Sequence, residues 1–556
     1  MSVELKIGNV LTVIEGEIPQ TVKTLISEAC SYSVLGAEHS VYGQVVYCPK
    51  CKKLTKEPTT AAMYAAGYPT PGIKGFRLCQ IHGWVKPISL WDGVNYLFTP
   101  SRQSFPTGLI SRVTTILKAN KIAYTLKDQR IAPPTYEIPW KGYKPRKYQS
   151  LAVESILKKT RGILHAATGT GKTLCIAWLI KKTCVNTLIL THTKSVFNQV
   201  CSSIASSLGV PVGQVGDGIV DIHKFTVSMP QSLTETVRVP RKSFKNGKWV
   251  QVMKKVQQIK PKFQQLLNNT EMLVVDEAHR LSASTCQLVA NSCPNAYYRV
   301  GVSATPWRDD LLDILIEAAT GRVAYKYTAT QAIEDGYLAR PTIHMVKFKQ
   351  SRQPVTTTIL VEDKKSGNKV PKTVKVDYNM LYDNCVVNNY NRNVLIARIA
   401  YKCYSAGKSV LIIVRRIEHG SNIYKLLEKL GPKVVRYVNG EDDPAYLQKT
   451  LDELDKKKFM ICIATGIFSE GVDIKRLDCV INATAGDSSV NAMQIVGRAL
   501  RKVVDDKGND LKPTVDIYDI ADTNIRWLAP HAVNRQLIYE TEEGYIIKNE
   551  DEGEYL

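Results

Sequence analysis

No stretch of this 556-residue chain approaches 18 uninterrupted apolar residues. A membrane-spanning helix is therefore not expected. Met1 to Val13 includes acidic Glu4 and no long apolar run, so a secretory signal is not expected either. The 13 cysteines are odd in number and mostly scattered; a reducing, intracellular setting with free thiols fits them better than a disulfide framework. No internal repeat with an obvious period is visible, which argues against a solenoid. Acidic residues are in deficit: 51 Asp and Glu stand against 74 Lys and Arg, a formal net charge of +23. A chain this basic attracts polyanions, and a merely basic surface is the plainer alternative.

Apolar residues make up 44% of the chain, enough for cores in about three or four domains of ~150 residues. Short Val/Ile/Leu runs alternate with helical stretches from Lys147 onward. Gly162–His165, Thr187–Leu190, Met272–Val275 and Arg299–Val302 read as buried parallel strands, as do Ser409–Val414, Met460–Ala464 and Cys479–Asn482. The expected fold is α/β, with two tandem parallel-sheet domains at 141–330 and 331–530. A small α+β domain at 1–140 precedes them, ending in a Pro/Tyr-rich linker from Ile131 to Pro145. Residues 531–556 are expected as a tail, frayed over the acidic run Glu550 to Glu554.

Ala167-Thr168-Gly169-Thr170-Gly171-Lys172-Thr173 follows an apolar strand and opens a helix, the context a phosphate-binding loop requires. Small residues let backbone N–H groups turn toward phosphates, and the helix N-terminus adds partial positive charge. Lys172 would reach the β- and γ-phosphates, and the Thr173 hydroxyl would hold Mg²⁺. Asp276-Glu277-Ala278-His279 follows the strand Met272–Val275. Asp276 would complete the magnesium shell and Glu277 would polarise the attacking water. An acidic pair after a strand is weak evidence alone. It gains weight from the phosphate loop upstream and Ser303-Ala304-Thr305 downstream.

With those motifs in that order, the chain resembles a DExH-type helicase of superfamily 2 over roughly residues 140–530, whose motor domains are RecA-like. Arg146-Lys147-Tyr148-Gln149 resembles the adenine-reading motif, which implies nucleotide contacts from Arg146 and Gln149. Thr191 resembles a residue that touches the nucleic-acid backbone. Ala464-Thr465-Gly466 through Glu470-Gly471-Val472-Asp473 matches a fifth motif, which implies a nucleic-acid contact from Thr465 and nucleotide contacts from Gly471 and Asp473. Gln494 to Arg501 matches a sixth, which implies a catalytic part for Gln494 and makes Arg498 and Arg501 arginine fingers. A guanidinium supplied from a second domain can neutralise γ-phosphoryl charge in the transition state, coupling cleft closure to hydrolysis. Trp91-Asp92-Gly93, Phe105 to Leu109, Asp128-Gln129-Arg130 and Arg415 to Gly420 are similar to bacteriophage UvsW-like helicases and their XPB-like relatives. That narrower resemblance implies 3′-to-5′ translocation on duplex or branched DNA, in replication, recombination or repair. A double-strand translocase that does not separate strands, or an RNA helicase, shares the same motor motifs. A zinc-containing DNA-binding protein with a dead ATPase is the reading from another class; the complete set of catalytic residues argues against it.

Cys48-Pro49-Lys50-Cys51 and Cys79-Gln80-Ile81-His82 can place four ligands around Zn²⁺. They mark a zinc-binding insertion at about 45–85; free thiols are the alternative. Two further segments look inserted. Val237 to Lys262 holds Arg238, Arg241, Lys242, Lys245, Lys248, Lys254, Lys255, Lys260 and Lys262 with no acidic residue, and Phe244 and Trp249 interleave. Thr356 to Asp377 reads strand–turn–strand about Ser366-Gly367-Asn368. Each is either a solvated hairpin or a positive tongue on a phosphate backbone. Lys242, Lys245, Lys248 and Trp249 are the nucleic-acid candidates on the first.

Overall fold

The computed structural model describes residues 2–33, 45–47, 54–56, 77–79, 83–85, 94–245, 248–305, 312–350, 356–362, 369–431, 433–465, 474, 476–486, 489–503, 510 and 512–555. At 241–250, 356–375 and Arg498 only backbone is described. Cys48, Cys51 and His82 of the expected zinc knuckle lie outside the described residues, as do Gly471 and Asp473; of Cys79 only the strand backbone, Arg77–Cys79, is described.

Two mostly parallel sheets form the body. The first runs Ile219–Asp221, Gly213–Gly216, Phe225–Ser228, Thr187–Leu190, Met272–Asp276, Tyr298–Ser303, Arg161–Ala166, Val323–Tyr327. Only the edge pair Gly213–Gly216 with Ile219–Asp221 is antiparallel. Central strands such as Thr187–Leu190 and Met272–Asp276 are buried along their whole length. Helices cover both faces, so these strands cannot alternate and instead read as continuous apolar runs. The second sheet runs Val435–Val438, Ile461–Thr465, Val410–Val414, Cys479–Asn482, Thr514–Asp522, Arg340–Phe348, Ile546–Asp551, with every neighbour parallel.

The last of those strands corrects the expectation of a frayed tail. Ile546–Asp551 pairs with Arg340–Phe348 along six residues, and the helix Leu528–Glu540 packs beneath the same sheet, its buried Arg535 ion-paired to Asp519. The acidic run is held because a cation waits for it. His344 Nδ1 lies 2.6 Å from Glu550 Oε1 and Nε2 lies 3.3 Å from Asp516 Oδ1. His344, to which the sequence assigned no role, is the pin of that edge.

The amino-terminal unit is a four-stranded sheet, ordered Ala123–Asp128, Ser2–Ile7, Leu11–Glu15, Ser104–Pro106, with helices Gln20–Ala29 and Ile110–Ala119. Its apolar core is completed by Ile314, Leu315 and Ala318 from the first-lobe helix Asp313–Thr320. Gly108 sits so tightly on that helix that a Cβ would run into the Glu317 carbonyl oxygen. Arg112 Nε donates to Glu317 Oε2 (2.8 Å), and Asn9 Nδ2 donates to the Pro294 carbonyl (3.0 Å). The linker that follows is strapped down. Tyr136 and Ile138 donate their N–H groups to the carbonyls of Thr183 and Lys181 at the end of the phosphate-loop helix Lys172–Thr183, and Trp140 meets Trp178 edge-on.

Candidate ATP-binding and hydrolysis site

The strand Arg161–Ala166 ends at the phosphate loop, and the helix Lys172–Thr183 begins on it. Gly169 and Gly171 take φ of +85° and +81°, left-handed values that favour glycine. The loop is braced from behind. Gln149 Nε2 donates to the Thr170 carbonyl (3.0 Å), while the Arg146 N–H donates to Gln149 Oε1 (2.8 Å). The Tyr148 hydroxyl also bonds the Thr170 carbonyl, and its ring stacks on Tyr327 with centroids 3.8 Å apart. The Arg146 guanidinium lies 4.2 Å over the Tyr337 ring. The expected adenine-reading pair is thus seated against the loop, with Gln149 buried beneath it.

Asp276 ends its strand, and Glu277 turns the chain in a left-handed conformation, φ 50°. The Glu277 N–H donates to Asp276 Oδ1 (3.0 Å). Burial, and then the charge of Glu277, push Asp276 up to about 7 against the pull of Lys172. A buried carboxylate so poorly compensated calls for a cation, and the donor set of Asp276 and the Thr173 hydroxyl, with phosphate oxygens, is the hard oxygen set that magnesium takes. Ser303 gathers the catalytic side of the cleft. Its Oγ donates to Glu277 Oε2 (3.4 Å), accepts the Thr305 N–H (3.2 Å) and lies 3.4 Å from His279 Nδ1. His165 Nε2 sits 3.0 Å from the Ala304 carbonyl. Burial, then nearby Lys326, brings His165 down to about 4; burial, then Arg280, does the same for His192. Both imidazoles are neutral at pH 7.

The second lobe closes directly on this loop. A Cβ placed on Gly169 would lie 3.3 Å from Arg501 Cγ and 3.3 Å from the Gly497 carbonyl; one placed on Gly497 would strike Thr168. The Ala339 N–H donates to the Leu500 carbonyl (2.7 Å), and Leu338 bridges Arg501 through the backbone. Gln494, 4% exposed, lines a cavity with Thr191, His192, Asp276 and Glu277. Lys172, Asp276, Glu277, Gln494 and Arg501 are thereby brought to one cleft. Arg498 belongs to the helix Ser489–Ala499 that carries Gly497. Thr465 ends a buried second-lobe strand.

Several buried hydroxyls around this cleft have no partner among the described residues: Thr168, Thr191, Thr193 and Thr305, together with His192 Nε2. Burying polar atoms unmet is costly; a run of them at one cleft suits a polar ligand. The sequence reading passed over His165, His192, Thr193 and Arg280. His192 and Thr193 directly follow Thr191, and that adjacency was the available signal. Among the described residues no group of three or more His, Cys, Asp or Glu could hold a metal ion on its own, and no helix is long and apolar enough to cross a membrane.

Two lobes, with a phosphate loop on one and the helix Ser489–Ala499 of the other meeting it at Gly497, are the frame of an ATP-driven motor. The family "Type III restriction enzyme, res subunit" matches residues 142–308, and "Helicase conserved C-terminal domain" matches residues 392–503. The chain belongs to the superfamily 2 helicases, which are ATP-hydrolysing and nucleic-acid-dependent. It is 24% identical over 437 residues to the ATP-dependent DNA helicase uvsW of Enterobacteria phage T4, covering 73% of this chain and 78% of the relative. It is 23% identical over 384 residues to the DNA 3′-5′ translocase XPB2 of Sulfurisphaera tokodaii, covering 64% and 78%. A protein of Sulfolobus islandicus filamentous virus is 23% identical over 379 residues, covering 66% of this chain and 63% of the viral one.

Proposed function

We propose that the chain is a DNA helicase or translocase that moves 3′ to 5′ and remodels duplex or branched DNA. The observation that carries the motor half of this reading is the seat of Gly497 on Thr168: the lobes meet at the phosphate loop itself, so a phosphate held by that loop lies against both of them. The DNA half rests on the relatives named for DNA; the charge of +23 suits either nucleic acid.

In this reading Lys172 and the N–H groups of the loop bind the phosphates, and Arg146 and Gln149 hold the base. Thr173 and Asp276 hold magnesium, which when bound neutralises phosphate charge. Glu277, oriented by Ser303, positions the attacking water. Arg498 and Arg501 approach from the second lobe to meet the charge that spreads over the transferring phosphoryl group. Because Ser303 Oγ is bonded to both Glu277 and the Thr305 N–H, a change at the γ-phosphate is passed to the loop after the strand Tyr298–Ser303. Thr191, beside Asp276 and Gln494, and Thr465, at the end of its second-lobe strand, would contact the backbone of a strand held between the lobes, and phosphate contacts of this kind do not read sequence. Cys48, Cys51, Cys79 and His82 hold a structural zinc in the amino-terminal unit, and the protein works inside the cell.

The test is ATPase and unwinding measured side by side on single-stranded DNA, forks, Holliday junctions and RNA duplexes, with Glu277→Gln as the control for turnover. Hydrolysis stimulated by DNA and abolished in Glu277→Gln is expected. Stimulation by RNA alone would overturn the DNA assignment, and wild-type turnover in Glu277→Gln would overturn the catalytic one.

A further inference from the structure

The strands Thr234–Lys245 and Lys248–Ile259 form one antiparallel ribbon, in register from Thr234 opposite Ile259 to Lys245 opposite Lys248. Twelve residues at about 3.3 Å each make an arm of roughly 40 Å. It leaves the first lobe just after the short helix Pro230–Leu233, which itself follows the strand Phe225–Ser228. Its root therefore lies at the carboxyl ends of the parallel strands, the edge that also carries the phosphate loop, Thr191 and Asp276. The base is fixed to the lobe: Thr285 Oγ1 on the helix Ser284–Asn291 donates to Gln257 Oε1 (2.7 Å), and the Lys260 N–H donates to the Leu233 carbonyl (2.9 Å). Farther out, Arg238, Lys254 and Lys255 are exposed, and so is Met253, at 61%.

A lone two-stranded ribbon is marginal in water. This one is further strained by its own register, which sets Arg238 opposite Lys255, like charges that repel across a pair of strands. The sequence offers no relief, since no acidic residue occurs from Val237 to Lys262. An inert surface hairpin intersperses signs; this one is built to be completed by an outside polyanion.

We propose that the ribbon is an arm that lies in the major groove of B-form DNA. That groove admits a two-stranded ribbon, whereas the major groove of an RNA duplex is too deep and narrow for side chains to enter. An arm of about 40 Å covers roughly one turn of the double helix. The inference rests on the DNA-motor reading and deepens it: the motor lobes hold a single strand, and the arm holds the duplex and selects DNA over RNA.

The experiment uses the full chain and two variants. One is Arg238→Gln/Lys254→Gln/Lys255→Gln. The other replaces Pro240 to Met253 with an Asn-Gly turn, shortening the arm without touching its base. Binding to a short DNA duplex, the matching RNA duplex and a single DNA strand is followed by fluorescence anisotropy over a series of salt concentrations. Thermal melting reports the fold, and ATPase is read with and without single-stranded DNA. Both variants should melt like the parent and keep both ATPase activities. Affinity for duplex DNA should fall about tenfold or more, with the salt slope of the triple variant reduced by about 2–3, near 0.9 per lost phosphate contact. Affinity for single-stranded DNA and for the RNA duplex should change far less. Unchanged duplex affinity and slope in the shortened variant would overturn the arm, and equal losses on the DNA and RNA duplexes would overturn the groove. A parent chain whose ATPase answers only to RNA would sink the DNA-motor reading together with the arm; intact DNA stimulation with no effect of shortening would sink the arm alone.

Discussion

At Gly497 the second lobe meets the first with no side chain of its own, and a single methyl group would collide with Thr168. Replacing it with alanine should hold the lobes apart at the phosphate loop while leaving Lys172 and its helix intact. Nucleotide should still bind, and turnover should fall about tenfold or more, the equivalent of ~1.4 kcal/mol at the barrier. Unimpaired turnover in a folded Gly497→Ala protein would show that this contact is not part of the working cycle. The sequence displayed the residues on either side of the gap but not the gap. Phosphate chemistry is local, so Lys172, Thr173, Asp276 and Glu277 can be read from short contiguous strings. The fit of Gly497 to Thr168 depends on how two separately folded sheets dock, and no string records it. His192 and Thr193 went unread although they directly follow Thr191, since their importance comes from the cavity they share with Gln494.

Among elements, the strand Ile546–Asp551 departs furthest from what its composition suggested. An acidic run near the end of a chain reads as solvated, and the partner that overturns that reading stands 206 residues away. Burial opposes a proton on His344, but hydrogen bonds to Asp516 and Glu550 outweigh it and raise its pKa above 6.5. Asp516 is also paired with Lys408, Glu550 accepts from the Tyr555 hydroxyl, and Tyr518 stacks on the imidazole. A histidine whose folded pKa is raised contributes stability that is fully present below the unfolded value and lost as pH rises through the folded one. The melting-temperature deficit of His344→Gln should thus be largest near about pH 6 and shrink toward about pH 9. A deficit that stays constant or grows over that range would mean the imidazole holds the strand by packing and not by charge. The parallel strands of both sheets were legible because burial on both faces forces apolar runs. The ribbon was legible as a basic insertion, though its length and register were not.

For the molecule as a whole, the notable junction is the one between the amino-terminal unit and the first lobe. Ile314, Leu315 and Ala318 of the lobe finish the core of that unit, so the two share one apolar interior. Gly108→Ala should pry them apart, because its methyl group would meet backbone, the Glu317 carbonyl, which cannot swing aside. Overpacking of this kind costs ~1–3 kcal/mol. Limited proteolysis should then cut near the strap at 129–146 and free the amino-terminal unit from a still-folded motor. Cleavage no faster than in the parent would mean the interface absorbs the methyl group. Nothing in the sequence near Gly108 announced that contact, which joins residues some two hundred positions apart.

The edge strand Ile546–Asp551, with the turn at Glu542 to Tyr545 that leads into it, has a consequence for how the molecule is made. Glu542 Oε2 accepts the N–H of Thr330, and Tyr545 helps wall the cavity that also holds Thr168 and Gly497. Every motif of the engine has been synthesised by residue 501, yet the second sheet lacks its edge strand, and this wall its last stones, until residues 541–551 have cleared the ribosome. A nascent chain thus carries a complete set of catalytic residues around an unfinished chamber. The chamber is walled only when residues 541–551 have emerged, well after the last of the chemistry.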